Sequence, residues 1–187
     1  LEGVDYLGAD LVPELVDLNQ RRRDGRRYQL LDLLTSALPS VDLIFCRDCL
    51  VHFSAADIRA ALDNVRRAGI RYLLTTTFPS EPSHVDIVTG DWRPLNLEQP
   101  PFDFPPPVDR IVEGCTEAGG LFPDKSLGLW RVADLPKPAA TIAEVADEMM
   151  GNWVRHVLVG GPDELVGLVS IRDVLGAYAA AILSSGS

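Results

Sequence analysis

The chain has 187 residues, a hydrophobic content of 47% and a formal net charge of −10, which suits one domain with a small appended segment. The negative charge argues against nucleic acid as a partner, because such binding requires basic surface that neutralises phosphates. Apolar runs fall short of the ~20 residues that span a bilayer, and three cysteines are too few for a disulfide framework, so a cytoplasmic protein without a membrane partner is predicted.

The first part of the chain alternates predicted strands and helices, as parallel α/β sheets do. A short strand over residues 4–10 ends at Asp10, and Pro13 begins a helix that Asp24-Gly25 ends. The arginines at 21–23, 26 and 27 are interpreted as a solvated helix C-terminus, with an anion or partner site as the alternative. Further predicted elements are a strand over 28–31 that closes on Asp32, a strand over 41–46 apolar enough to be buried on both faces, a helix from the Ser54 cap to Gly69, and a strand over 72–77.

The remaining sequence changes character twice. Prolines break the pattern between residues 79 and 107, which predicts a long lid or binding loop. Residues 110–115 and 126–131 are predicted strands joined by a short Gly-rich link, so they should form an antiparallel hairpin. After a linker over 136–140, the pattern predicts a helix over 142–150, strands over 154–159 and 165–171, and a helix over 173–183.

Four strings in this order and spacing carry a resemblance: residues 6–13, 46–52, 72–78 and 89–97. Over residues 1–135 the chain resembles the class I S-adenosylmethionine-dependent methyltransferases, whose Rossmann-like parallel sheet ends in an antiparallel hairpin. The resemblance implies S-adenosylmethionine as the cofactor and a small-molecule methyl acceptor. The family's first strand and Gly-rich loop would precede Leu1, so the resemblance also implies exposed sheet edges and impaired methyl transfer in this chain.

The resemblance implies roles for residues at the carboxyl ends of the strands, where ligands of such sheets bind. The implied cofactor-binding residues are Asp10 and Leu11 at the ribose, Asp32 and Leu33 at the adenine, and Cys46 beside the methyl group. The implied acceptor-binding residues are Arg47, Trp92 and Arg93, and the implied catalytic residues are Asp48 and His52. Alternatives are turn acids for Asp10 and Asp32, a structural role for Asp48, and a capping or packing role for His52.

Cys46 and Cys49 also have the spacing of a zinc-binding or redox pair. The sequence has no second pair of this spacing to complete a zinc site, and these cysteines end a predicted buried strand instead of opening a helix. A structural role is therefore favoured, and no metal site is predicted.

Residues 141–187 resemble part of a CBS domain, a small module that binds adenosine nucleotides in pairs. The resemblance rests on residues 141–150, 154–159 and 165–175. It implies AMP or ATP as a ligand, with Ser170 at the phosphate and Asp173 at the ribose, although Asp173 as a simple helix cap is the alternative. Because such units work in pairs, a single unit implies a homodimer through this segment.

Three hypotheses about function follow from these resemblances. The first is a methyltransferase of a small-molecule acceptor, impaired in this chain. The second is a nucleotide-binding or dimerising module in the CBS-like segment, and the third is a non-functional fusion of two gene pieces. The sequence identifies neither the methyl acceptor nor the atom that is methylated.

Overall fold

The computed structural model describes residues 3–22, 24–83, 85–137, 156–161 and 164–170, with side chains up to residue 137. The chain divides into two compact units, Leu1–Pro136 and Lys137–Ser187. The described residues form a mixed α/β protein, which confirms the predicted fold class. In this part of the chain no helix is both long and apolar enough to cross a bilayer.

The first unit contains six strands and two α-helices among its described residues. In chain order they are β1 (Leu7–Asp10), α1 (Pro13–Gln20), β2 (Arg27–Leu30), β3 (Leu43–Cys46), α2 (Ala55–Arg67), β4 (Tyr72–Thr77), β5 (Asp109–Val112) and β6 (Ser126–Arg131). Short 3₁₀ turns lie at Leu50–His52, Glu117–Gly120 and Val132–Asp134. Each strand and α-helix matches a predicted one, but β1 begins three residues later and β3 two residues later than expected, and α1 and β5 end earlier.

These strands form two sheets. Strands β1 and β2 pair in parallel, and the second sheet has the order β3-β4-β6-β5. Strands β3 and β4 are parallel, whereas β6 is antiparallel to both of its neighbours, which confirms the predicted hairpin. Because Ser126 lies opposite both Thr77 and Val112, the ends of β3, β4 and β5 and the start of β6 share one edge. We call this edge, together with the ends of β1 and β2, the carboxyl edge.

Strand β3 is an edge strand, and the prediction that both of its faces are buried was wrong. Leu43 is 41% exposed and Phe45 is 53% exposed. In the described part of the chain β3 pairs only with β4, and β1 pairs only with β2. Leu43 and Phe45 are two residues apart and therefore lie on the same face of the strand, and it is this face that remains open to solvent.

Helix α2 supplies much of the core of the first unit. Ile58, Ala61, Leu62 and Val65 are buried at the predicted helical spacing. The Ser54 hydroxyl accepts from the Asp57 amide at 3.1 Å, as the capping pattern predicts. The Asn64 amide donates to the carbonyls of residues 33 and 36, both at 2.9 Å, and so ties the loop after β2 to this helix.

The proline-rich segment contains no helix or named strand over residues 78–108 as described, which confirms a loop. It nevertheless belongs to the core, since Leu95 and Leu97 are fully buried. The Trp130 indole on β6 donates to the Pro105 carbonyl at 2.7 Å. Glycine at 128 is required by this packing, because a Cβ there would lie 2.2 Å from the Trp130 ring.

The described part of the second unit is an antiparallel pair, β7 (His156–Gly161) and β8 (Glu164–Ser170). Its register pairs His156 with Ser170 and shifts between Val159 and Gly160. These strands match the two predicted at 154–159 and 165–171. The predicted helices over 142–150 and 173–183 lie outside the described residues.

Candidate functional site at the carboxyl edge

The carboxyl ends of β1, β2 and β3 bring the predicted cofactor-binding residues close to one another. Asp10 is the last residue of β1, and its carbonyl accepts from the Leu31 amide just beyond β2 at 2.9 Å. The charge of Asp10 also acts on the thiol of Cys49, which follows β3. The ends of both sheets therefore lie close enough to contribute to one site.

Only one carboxylate oxygen of Asp10 is hydrogen-bonded within its own turn. Its Oδ1 accepts from the Val12 amide at 2.9 Å, which shapes the entry into α1. Its Oδ2 accepts from no described residue, and the neighbouring Leu11 side chain is 66% exposed. Asp10 is thus a turn acid that keeps one carboxylate oxygen available.

Asp32 is more fully engaged in its turn. Its Oδ1 accepts from the Leu34 amide at 2.9 Å and its Oδ2 from the Thr35 hydroxyl at 2.8 Å. The Leu34 hydrogen bond, followed by that of Thr35, lowers the pKa of Asp32 below its ordinary value. Leu33 lies in the same turn, half-buried, with its carbonyl held by Asn64. The turn is therefore rigid, and its acid is ionised at neutral pH.

Cys46 and Cys49 are free thiols that contact each other at the end of β3. The pKa of Cys46 is raised because its thiol hydrogen-bonds to Cys49 and because it is buried. The same hydrogen bond lowers the pKa of Cys49. Within the described ranges, no three His, Cys, Asp or Glu side chains come together as metal ligands would.

Beyond the thiols, β3 leads into a group of charged side chains that we call the Asp48 cluster: Arg47, Asp48, Glu113, Glu117 and Lys125. Lys125 is its centre, with a side chain only 6% exposed. Its Nζ lies 2.8 Å from Asp48 Oδ2, 3.7 Å from Glu117 Oε2 and 3.9 Å from Glu113 Oε2. Burial lowers the pKa of Lys125, but Asp48 and the two glutamates outweigh burial and raise it overall.

Asp48 itself is held in an unusual backbone conformation. Its φ is +50°, a region that aspartate tolerates better than most residues. Its amide donates to the Thr76 hydroxyl oxygen at 2.8 Å. Arg47 Nε donates to Glu113 Oε1 at 2.7 Å, and Arg47 Nη1 lies 3.4 Å from Asp48 Oδ2. The conformation fixes the Asp48 carboxylate, one third exposed, at the carboxyl edge.

The segment with Trp92 lies on the 3₁₀ turn after β3. His52 Nδ1 donates to the Asp91 carbonyl at 2.8 Å, and the His52 carbonyl accepts from the Gly90 amide at 2.8 Å. Trp92 is 47% exposed and packs edge-to-face against Phe78 and Phe122. His52 Nδ1 is therefore engaged by the backbone at Asp91, and the Trp92 ring remains half exposed beside Phe78 and Phe122.

Arg93 follows Trp92 and is almost completely buried, at 5% exposure. Its Nη1 donates to the Phe53 carbonyl at 2.7 Å. Its Nε and Nη2 meet no hydrogen-bond acceptor among the residues that the structure describes. Burial lowers the pKa of Arg93, while the charge of Asp86 opposes this effect.

Sequence reasoning missed Lys125, Glu113 and Glu117, which complete the Asp48 cluster. Their signal was available in the predicted hairpin. An antiparallel hairpin beside β4 has its connecting turn at the carboxyl edge, so charged residues just after β5 and just before β6 must lie near the end of β3. The sequence separation of 77 residues between Asp48 and Lys125 hides this contact.

A cleft lies at the opposite edge. Its volume is about 540 Å³, and it is lined by Leu7, Gln20, Arg26, Arg27, Tyr28, Gln29 and Pro39, at the amino ends of β1 and β2. None of the predicted site residues lines it. Arg27 already pairs with Asp5 at 2.7 Å, and Arg26 lies over the Tyr6 ring. These contacts are exposed, as predicted, but the assignment of Arg26 and Arg27 to a helix C-terminus was wrong, because α1 ends at Gln20 and Arg27 begins β2.

Of the two predicted nucleotide-binding residues of the second unit, only Ser170 lies within the described residues. Ser170 is the last residue of β8, and its side chain is outside the described part of the structure. Asp173 lies outside the described residues altogether.

Comparison with known proteins gives one family match and several distant structural similarities. The family model of the CBS domain matches residues 137–180. No curated protein matches the chain. The chain is similar to magnesium protoporphyrin IX methyltransferase from Synechocystis PCC 6803, solved with bound S-adenosylhomocysteine, at 18% identity and a TM-score of 0.35 over 41% of this chain and 37% of that one.

Two further solved structures are similar over more of the chain. One is the 1,6-didemethyltoxoflavin-N1-methyltransferase from Burkholderia thailandensis, at 18% identity and a TM-score of 0.47 over 70% of this chain and 62% of that one. The other is the N-methyltransferase NodS from Bradyrhizobium japonicum WM9, at 17% identity and a TM-score of 0.42 over 67% of this chain and 71% of that one. At this level the similarities do not assign an activity to the chain.

Proposed function

We propose that the first unit is an S-adenosylmethionine-dependent methyltransferase unit for a small-molecule acceptor, with an incomplete cofactor site. The observation that carries this proposal is the convergence of strand ends at the carboxyl edge. There Asp10 keeps a free carboxylate oxygen, and the Asp48 cluster and Trp92 lie beyond the end of β3. Ligands of open α/β sheets bind outside this edge.

The residues present fit the adenosine half of the cofactor in part. Asp10 Oδ2 is free to accept from a ribose hydroxyl, with Leu11 exposed beside it. Asp32 and Leu33 occupy a rigid turn that can offer carboxylate lone pairs to an adenine amino group. When bound, S-adenosylmethionine supplies a methyl group activated by its sulfonium centre, and Cys46 would lie toward that group.

The acceptor side of the proposed site is charged and aromatic. Arg47 and Asp48 are fixed at the end of β3, where they can orient polar groups of an acceptor. Trp92 contributes an exposed ring, and Arg93 unpaired donors. Because Asp48 already pairs with Lys125 at 2.8 Å, we propose that it and His52 position the acceptor and its proton instead of acting alone as strong bases.

The open sheet edges support the proposal that activity is impaired. In the described structure, β1 and β3 each have one edge without a hydrogen-bonded neighbour. A parallel strand between β1 and β3 would join the two sheets. The loop that follows such a strand would lie at the carboxyl edge, where it could bind the cofactor through its main chain. The described residues include no such strand and loop at this edge, so we expect the described half-site to hold S-adenosylhomocysteine weakly.

Calorimetric titration of the full chain with S-adenosylhomocysteine tests this proposal. We expect weak, saturable binding that Asp10→Asn lowers by about tenfold, because a hydrogen bond to a carboxylate contributes ~1.5–3 kcal/mol. Asp42→Asn is the matched control, since Asp42 is exposed at the amino end of β3. Absence of binding, or equal effects of both substitutions, would refute the proposed cofactor site and favour a non-functional fusion.

The CBS family match supports a second candidate function. We propose that residues 137–180 bind AMP or ATP and pair with a second copy of the chain. Sedimentation at several protein concentrations, with and without AMP, tests this directly. A dimer that AMP strengthens is the expected result, and a concentration-independent monomer that AMP leaves unchanged is the contrary one.

The proposed location is the cytoplasm. The three cysteines of the chain, Cys46, Cys49 and Cys115, are all free thiols, which agrees with a reducing compartment.

A further inference from the structure

Arg93 is a buried cation, and three of its five N–H donors belong to nitrogens with no acceptor among the described residues. The residue is 5% exposed, and the two nitrogens are Nε and Nη2. A buried donor left unpaired costs ~1–3 kcal/mol, and more when the group is charged. The unpaired edge of Arg93 therefore lowers the stability of the fold. This cost points to a hydrogen-bond acceptor that binds there.

The two unpaired nitrogens define the shape of the missing acceptor. Nε and Nη2 share one edge of the planar guanidinium, and the opposite nitrogen, Nη1, is the one that the Phe53 carbonyl already engages. This edge offers two parallel N–H groups, the geometry that binds both oxygens of a carboxylate or a phosphate. A neutral carbonyl would satisfy only one of them.

The surroundings of Arg93 also favour negative charge. Phe53 immediately precedes Ser54, the N-cap of the 13-residue helix α2, so the guanidinium points to the positive end of a helix dipole. Asp86 already places a carboxylate there, because its Oδ1 accepts from the amides of Ala55 and Ile87 at 2.8 and 2.9 Å. Asp86 acts on Arg93 through its charge without forming an ion pair with it.

We propose that the methyl acceptor carries an oxyanion, a carboxylate or a phosphate, which binds the Nε–Nη2 edge of Arg93. This inference rests on the proposed function and names the substrate class of that site. Asp86 belongs to an irregular segment whose neighbours Val85 and Val88 are 85% and 77% exposed. Because Arg93 is only 5% exposed, binding requires a local shift that uncovers this edge, and the adjoining Trp92 ring would contact the rest of the acceptor.

The test is a titration of the ¹⁵N-labelled full chain without cofactor, observed at the Arg93 Nε–H resonance. The probes are phenylacetate, phenyl phosphate and the neutral phenylacetamide. We expect saturable shifts with at least one of the two anions and none with the amide. The stronger of the two anions identifies the group as carboxylate or phosphate. Equal shifts with phenylacetamide, or none with either anion, would overturn the inference.

Two variants separate binding from a structural role. Arg93→Lys keeps the charge but loses the planar fork, so we expect phenylacetate affinity, followed at the Trp92 indole resonance, to fall about tenfold or more. Arg71→Lys is the control, since Arg71 is exposed and lies just before β4 at the amino edge. Asp86→Asn removes a competing negative charge and should raise the affinity. Unchanged affinity in both site variants would refute the inference.

The cofactor proposal is judged separately on the same samples. S-adenosylhomocysteine binding without anion binding would remove the inference and leave the proposed function intact. Anion binding without S-adenosylhomocysteine binding would support the oxyanion site and remove the methyltransferase proposal.

Discussion

The charged residues at the carboxyl edge depend on one buried cation. Lys125 faces Asp48 and two glutamates, and its side chain is 6% exposed. Removing one partner of a buried ion pair leaves the other charges uncompensated, which costs more than the pair itself contributes. Lys125 is therefore, with Thr76 and Arg47, one of the residues that hold Asp48 in place.

Replacement of Lys125 by methionine should destabilise the first unit. We expect a loss of about 2 kcal/mol or more, below the value for a fully buried pair because Asp48 is one third exposed. Urea unfolding with unchanged m would measure it. Lys137→Met, the same change at an exposed lysine, should stay within about 0.5 kcal/mol. Similar losses in both variants would contradict this account.

The turn at Asp32 predicts a pH dependence of stability. Its folded-state pKa is lowered, first by the Leu34 amide, from an ordinary value of 3.8. The associated stability is fully present above the unfolded pKa and is lost as pH falls through the folded one. Asp32→Asn should therefore flatten the stability profile below about pH 5, as measured by urea midpoints across pH. An unchanged acid slope would be the contrary outcome.

At the scale of single residues, the sequence predicted acids better than their partners. Asp10 and Asp32 could be located because an acid at a strand end is a local pattern. The burial of Lys125 and the unpaired edge of Arg93 could not, since each depends on segments brought together from far along the chain.

At the scale of elements, β3 shows that composition does not decide burial. Its four residues are apolar, as in a central strand, but Leu43 and Phe45 share one face of the strand and that face is exposed. The helix signals around Ser54 and Gly69 were reliable, because caps and positive φ are decided locally. Burial of a strand is decided by its neighbours, and composition alone could not predict it.

A matched pair of substitutions tests the exposure of β3. Phe45→Thr should cost less than about 1 kcal/mol, because the side chain is already 53% exposed. Phe104→Thr, the same change at a residue that is 4% exposed, should cost about 3 kcal/mol or more. Urea unfolding of both variants gives the comparison. Equal losses would mean that β3 is covered in solution.

At the scale of the whole molecule, two units carry two different resemblances. The first unit contains the carboxyl edge, with Asp10, Asp32, the Asp48 cluster and Trp92. The second unit has a CBS family match over residues 137–180 and a described antiparallel pair, β7 and β8. The sequence predicted this order of elements because each follows from local periodicity. The first six strands form two sheets, and the exposed sheet edges that the resemblance implied are found at β1 and β3 in the described structure.

The central claim is that S-adenosylmethionine binds at the carboxyl edge of the first unit. Ultraviolet cross-linking of methyl-labelled S-adenosylmethionine to the full chain, followed by peptide mapping, tests its location directly. The account predicts label near Asp10 or between Cys46 and Cys49, removed by excess S-adenosylhomocysteine. Label at the cleft around Leu7 and Tyr28, label confined to the second unit, or no label that S-adenosylhomocysteine removes would contradict it.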